Sequence, residues 1–256
     1  AELVGALPRL RHVASYGVGV NHIDLDACRA RGILVTNTPG VVTDATADMA
    51  MALLLAAARR VAEGDRVVRA GGWTDVDPSW MLGTELTGKT LGLVGFGRIG
   101  QAVARRAAGF ELRILYASPR EVAFPGATRV PLDDLLARSD FVSLHVPLTP
   151  ATEDLLSRER IFAMKRGAIL VNTARGPVLD DAALADALRE GRLAAAGLDV
   201  FRDEPHVPEA FRALPNVVLT PHLGSGSRET RAAMARMVLE EISRVARGEE
   251  PRYRVV

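Results

Sequence analysis

Thr90–Gly100 reads T-L-G-L-V-G-F-G-R-I-G, and the fold of the surrounding chain follows from it. Gly95, Gly97 and Gly100 form G-x-G-x-x-G. In a chain of 23 glycines that spacing arises easily by chance, so its flanks decide. Thr90–Val94 is a short apolar run of the kind a buried parallel strand shows. Ile99–Ala108 places Ile99, Val103 and Ala107 on one helical face. The glycines therefore stand at a strand-to-helix turn, as a dinucleotide-binding fingerprint requires. Gly95 permits the tight turn, Gly97 lets the backbone approach a pyrophosphate, and Gly100 lets helix and strand pack closely. The N–H groups of the first helical turn then face the anion.

The same alternation continues outward from the turn. Apolar runs at 112–117, 140–145, 168–172, 194–200 and 217–220 read as strands, with helical patterns at 132–138, 158–164 and 181–190 between them. This predicts an α/β fold with a doubly wound parallel sheet. Upstream, strands at 12–16 and 33–36 flank a short helix at 25–30, like the tail of another α/β domain. Residues 45–58 form a helix apolar almost all round, expected to be buried on several sides, between domains or between subunits. Residues 71–88 carry Trp73 and Trp80 in a loop longer than ordinary connections, and such loops are often functional or interfacial. A last amphipathic helix, 224–247, is expected to pack back on the first domain. The boundaries this predicts are residues 1–42 with 224–256 for one domain, and 43–223 for the other. The chain opens without Met, inside what reads as a helix over 1–7, and we expect residues to be missing before Ala1.

Composition narrows the possible functions. The chain has 256 residues, 48% hydrophobic and 25% charged, with a net charge of +1. That balance gives no case for binding nucleic acid or an acidic membrane surface. The longest apolar run, 49–58, is too short to span a bilayer. Cys28 is the only cysteine, which excludes an internal disulfide and points to a reducing, cytoplasmic compartment.

In an open parallel sheet, ligands gather at the carboxyl ends of the strands. Three such ends carry chemistry: T-A-R-G with Arg175, F-R-D-E-P with Glu204, and P-H-L-G-S with His222. Taken alone, Arg175 could bridge to a surface acid, Glu204 could be a solvated loop residue and His222 a turn residue. Their joint placement at neighbouring strand ends argues for one crevice. His12, His22 and His206 lack that context and read as structural. The set suits hydride transfer to a 2-keto acid. Arg175 binds the carboxylate in a fork and polarises the ketone oxygen. His222 donates the proton, and Glu204 beside it favours the imidazolium. Asp199, ending its strand, is placed to receive a nicotinamide carboxamide.

The coenzyme is read from the loop after the second strand of this domain. An NAD enzyme places Asp or Glu there for the ribose hydroxyls. This chain reads Y-A-S-P-R-E over 116–121, with Ser118 at that position and Arg120 two residues on. Without an acid to repel it, a 2′-phosphate is attracted by Arg120. Glu121 is the rival acid, but Pro119 turns the chain between it and Ser118. The expectation is NADP(H) in preference, with NAD(H) still accepted and no metal.

These residues resemble the D-isomer-specific 2-hydroxyacid dehydrogenase family. The resemblance rests on G-V-G-V-N-H-I-D at 17–24, G-F-G-R-I-G at 95–100, H-V-P-L-T at 145–149, N-T-A-R-G at 172–176, D-V-F-R-D-E-P at 199–205 and P-H-L-G-S at 221–225. Within that family the chain is most similar to the glyoxylate/hydroxypyruvate reductases. The resemblance implies a Rossmann coenzyme domain and a flavodoxin-like substrate domain, here truncated because the family's domain begins earlier than Ala1. It assigns Arg175, Glu204 and His222 to catalysis. It assigns the backbone at Val18 and Gly19 to the substrate carboxylate, and Arg98, Ile99, Pro147, Thr173 and Asp199 to the coenzyme. It also implies a homodimer, with the helix over 45–58 and the Trp80 loop in its interface and Trp80 near the partner's active site. A phosphoglycerate dehydrogenase-like enzyme is the runner-up, although it usually has an acid after the second strand. A dinucleotide-sensing, corepressor-like binding protein is the reading from a different class.

Overall fold

The computed structural model describes residues 2–256, with side chains from Val4 onward; Ala1, where the expected first helix opens, lies outside the described residues. The chain divides into two compact units, residues 1–45 with 225–256 and residues 46–224.

In the smaller unit, α1 (Glu2–Ala6) leads to β1 (His12–Ala14), α2 (Leu25–Ala30) and β2 (Leu34–Thr36). Asp24 starts α2 by accepting from the Ala27 N–H at 2.8 Å, which satisfies one of the unpaired donors of the first turn. β1 and β2 pair in parallel, with Val13 opposite Val35. Cys28, Ile33 and Val35 form the buried centre of this unit. Cys28 is fully buried and not in a disulfide, a small core residue as its sequence context suggests.

The larger unit holds a seven-stranded sheet. The linking helix α3 (Thr43–Ala58) runs into it, followed by α4 (Val61–Arg69), β3 (Thr90–Val94), α5 (Arg98–Ala108), β4 (Arg113–Ala117) and β5 (Ala127–Arg129). Then come α6 (Leu132–Arg138), β6 (Phe141–Leu144), α7 (Arg158–Ala163), β7 (Ile169–Asn172), α8 (Asp181–Arg189), β8 (Ala195–Leu198), α9 (Glu209–Arg212) and β9 (Val217–Leu219). The strand order is β5-β4-β3-β6-β7-β8-β9, every pair parallel. The order reverses at β3, which is therefore the switch point where such sheets bind ligands.

Side-chain alternation assigns the two faces. Leu91, Leu93, Phe141, Ile169 and Val171 pack with α3 and α5. Val94, Val142, Leu144, Leu170 and Leu198 pack with α6, α7 and α8. Gly92 shows how closely α6 lies on β3, since a Cβ there would collide with Leu135 Cδ2 and Ser139 Oγ. The last helix, α10 (Arg228–Ala246), is capped by Ser227 and packs with β1 in the smaller unit.

One face of α3 is covered within the chain, while Met49, Ala52, Leu55 and Ala56 on its other side stay half-buried or exposed. Ala47, Ala50, Leu53, Leu54, Ala57 and Ala58 are buried against the sheet of the same chain. Further exposed apolar side chains lie downstream, at Val61 and Val68 of α4 and at Trp73, Val76, Trp80 and Leu82 of the following loop.

Candidate active site

The glycine-rich turn joins β3 to α5. Gly95 has φ +93 and its N–H donates to Ala117 O at 2.9 Å, and a side chain there would strike His145 O at 2.6 Å. Gly100 lies so close to Gly95 that a Cβ would collide with Gly95 O. Gly97 is different, because a Cβ there would meet only open space. Gly97 is also the N-cap of α5, with no side chain to accept the first N–H groups. The start of α5, at Arg98 and Ile99, thus presents unsatisfied donors to an open surface, which suits a pyrophosphate.

Other predicted coenzyme residues end the neighbouring strands. Thr173, directly after β7, has a buried hydroxyl with no partner among the described residues. Pro147 follows β6 and is exposed. Ser118 and Arg120 follow β4, with Arg120 exposed and Glu121 exposed beside it. An uncapped helix start and an open glycine after β3, and an orphaned hydroxyl after β7, fit a dinucleotide.

Asp199 has a different main occupation from the one expected of it. It is fully buried after β8, and Oδ1 accepts from the Thr220 hydroxyl at 2.5 Å and the Leu223 N–H at 2.7 Å. Oδ2 accepts from the Gly224 N–H at 2.7 Å. These three bonds use both carboxylate oxygens. The first task of Asp199 is to hold the loop that carries His222.

His222 sits in the left-handed region at φ 53, its N–H donating to Asp199 O and Thr220 O at 2.9 and 3.1 Å. That conformation strains a non-glycine residue, and such strain clusters at functional sites. His222 Nδ1 lies 2.7 Å from Glu204 Oε2. Glu204 Oε1 accepts from the Phe201 N–H at 3.0 Å, so the carboxylate is oriented from both sides.

Arg175 follows β7 and is half-buried. The next residue, Gly176, lies so tightly against the Phe201–Arg202 peptide that any Cβ would overlap it. Glycine at that point lets the Arg175 turn and the Glu204 loop approach each other. Burial lowers the Arg175 pKa from its ordinary value, and the Glu204 charge opposes that shift. The guanidinium donates to Ala174 O at 2.5 Å and pairs with no carboxylate among the described residues. Arg175, Glu204 and His222 are thus brought to one end of one sheet.

Val18 and Gly19 lie in the turn after β1, in the smaller unit. Their carbonyls are held, Val18 O by Asn37 Nδ2 at 2.9 Å and Gly19 O by Ser15 Oγ at 3.5 Å. Their N–H groups have no partner among the described residues.

His145, the first residue of H-V-P-L-T, receives no role from the sequence pattern. It directly follows β6 beside Gly95, with Nε2 2.9 Å from Ser143 Oγ and Nδ1 buried without a partner among the described residues. Burial lowers its pKa to about 4, so the ring is neutral at pH 7. The signal that could have found it is its place at the strand end next to the switch point. A recess of about 260 Å³ lined by Ala57, Arg60, Glu63, Leu82, Ala195 and Asn216 lies at the opposite, amino ends of β7, β8 and β9. It is remote from this chemistry.

Comparison with known proteins agrees with the geometry. Residues 51–224 match the family model for the D-isomer specific 2-hydroxyacid dehydrogenase NAD-binding domain. The chain is 55% identical to a glyoxylate reductase of Korarchaeum cryptofilum over 98% of its own length and 77% of that protein's. The crystal structure of the TT0316 protein from Thermus thermophilus superposes with a TM-score of 0.95 at 53% identity, covering 100% of this chain and 82% of that one. An NADPH-dependent glyoxylate/hydroxypyruvate reductase from Sinorhizobium meliloti, solved with NADP and malonate, gives 0.91 at 38% identity, covering 99% and 80%. Among the described residues no helix is long and apolar enough to cross a membrane. The chain belongs to the D-isomer-specific 2-hydroxyacid dehydrogenase family, and it is an NAD(P)-dependent oxidoreductase that reduces a 2-keto acid.

Proposed function

We propose that this chain reduces glyoxylate or hydroxypyruvate to the D-2-hydroxy acid, with NADPH as the preferred coenzyme. The observation that carries this reading is the 2.7 Å bond between His222 and Glu204 at the same sheet end as a half-buried Arg175 that has no carboxylate partner among the described residues. The coenzyme supplies the hydride that reduces the keto carbon. Arg175 holds the substrate carboxylate in a fork and polarises the ketone oxygen. Val18 and Gly19, in the smaller unit, keep backbone N–H donors available for a substrate carboxylate. His222, fixed through Nδ1, has Nε2 to pass a proton to the oxygen as negative charge develops there. Glu204 keeps the ring in place and balances its positive charge before the proton leaves.

The backbone at Gly97, Arg98 and Ile99 would hold the pyrophosphate, with Gly95 and Gly100 shaping that turn, and Pro147, Thr173 and Asp199 would contact the coenzyme. Ser118 and Arg120 would meet the 2′-phosphate. Arg120 is exposed and forms no ion pair among the described residues, which supports its availability for an anion. The Sinorhizobium relative is itself NADPH-dependent. We place the protein in the cytoplasm, where the free Cys28 would stay reduced. We also propose a homodimer through α4 and the loop over 71–88, whose apolar side chains are otherwise exposed.

Initial rates on a panel of 2-keto acids, with NADPH and with NADH, test the reading. Glyoxylate and hydroxypyruvate should give the highest kcat/KM, and NADPH should be favoured. A higher kcat/KM for a bulky keto acid, or for NADH, would refute it.

A further inference from the structure

The loop that carries Ser118 and Arg120 has no regular structure of its own, yet it is tied down on both sides of Arg120. Ala117 O accepts from Gly95 N–H at 2.9 Å, which joins its start to the glycine-rich turn. Arg129, opposite Tyr116 on the edge strand β5, donates from Nε and Nη2 to Ser118 O at 3.1 and 3.0 Å, and from Nη2 to Pro119 O at 3.0 Å. The Tyr116 hydroxyl closes the far end, donating to Val122 O at 2.9 Å and accepting from Val122 N–H at 3.1 Å. Tyr116 is itself buried and stacked on Phe96, the residue between Gly95 and Gly97, with ring centroids 4.0 Å apart and planes 15° apart. Phe124, just beyond the loop, meets Phe96 edge-on at 5.3 Å.

All these bonds grip main-chain atoms. The side chain of Arg120 is left exposed, between the anchored Pro119 and Val122. A long, mobile cation on a floppy loop would lose much of its attraction to the cost of ordering, and a pre-ordered loop avoids that cost.

We propose that Tyr116 and Arg129 are positioning residues for coenzyme choice, holding 118–122 so that Arg120 and Ser118 already stand at the 2′-phosphate. Arg129 contributes through carbonyl oxygens and not through the phosphate itself. The Phe96–Tyr116 stack ties the loop to the pyrophosphate turn, so the two anion-binding parts of the coenzyme site keep a fixed spacing. This inference rests on the NADPH preference proposed above.

Steady-state kinetics with NADPH and NADH on Tyr116→Phe, Arg129→Gln and Arg120→Ala separate the two claims. Tyr116→Phe keeps the stacked ring and removes only the hydroxyl. Arg129 is exposed on an edge strand, so its replacement leaves the core untouched. In both, the NADPH KM should rise about threefold to tenfold while the NADH KM and kcat stay within about twofold, as for a lost hydrogen bond felt by one coenzyme. In Arg120→Ala the rise for NADPH should be about tenfold to a hundredfold. A collapse of the preference in Arg120→Ala without any change in the other two overturns the positioning role and leaves the coenzyme reading intact. Equal losses with both coenzymes in Arg129→Gln make it a support of the fold alone and also overturn the positioning role. An unchanged preference in Arg120→Ala overturns the coenzyme reading, and the positioning role with it.

Discussion

At the scale of single residues, the site is a chain of orientation. Asp199 fixes the loop of His222, the Phe201 N–H fixes Glu204, and Glu204 fixes the imidazole. Glu204→Gln keeps the shape of that last link and removes its charge. A charge-assisted hydrogen bond is worth roughly 1.5–3 kcal/mol, so kcat should fall about tenfold to a hundredfold with little change in coenzyme affinity. A kcat equal to that of the parent would remove Glu204 from the mechanism. The placement of Arg175, Glu204 and His222 at one end of the sheet was legible because each follows an apolar run at the end that points to the ligand side. The roles of Tyr116 and Arg129 were not, because they act on backbone atoms brought close only by the pairing of β4 with β5. The burial of Asp199 was equally hidden, since its partners Thr220, Leu223 and Gly224 are set by the return of β9.

At the scale of elements, strands with buried apolar runs were legible and exposed elements were not. β3 and α6 lie where the sequence pattern puts them. β5 is three residues, Ala127–Arg129, two of them exposed, and it has no apolar alternation to betray it. α4 escaped notice because Arg60 offers it no capping side-chain bond, Gly64 lies within it, and none of its residues is buried. α3 was legible as a buried helix, but sequence could not say that its partner is its own sheet. α8 carries a pH-dependent contribution to stability. Burial pushes Asp181 from 3.8 up to about 6, with Arg202 opposing the shift and Asp180, Asp154 and Asp203 adding to it. A raised carboxyl pKa means the folded chain holds the proton more tightly than the unfolded one. Its contribution to stability is present below pH 3.8 and is lost as pH rises through about 6. Asp181→Asn should therefore raise the Tm more at pH 7 than at pH 4, by thermal unfolding followed at both. An equal change at the two pH values would contradict this.

At the scale of the whole molecule, two matters fall to solution experiments. The first is assembly. Val61, Val68, Trp73, Val76, Trp80 and Leu82 give one stretch of chain a run of exposed apolar side chains, of the kind that marks an interaction surface. Light scattering should give the mass of a dimer, and Val68→Glu should shift it towards the monomer. A parent protein that is already monomeric would exclude the proposed interface. The second is whether the assembled site does the chemistry assigned to it. Single-turnover and steady-state reduction of glyoxylate by NADPH, comparing the parent chain with His222→Ala, reads the proton-transfer step directly. The account predicts that kcat falls about 10²–10⁴-fold, the typical worth of a general acid, while NADPH binds as before. A kcat within a few-fold of the parent's would contradict it.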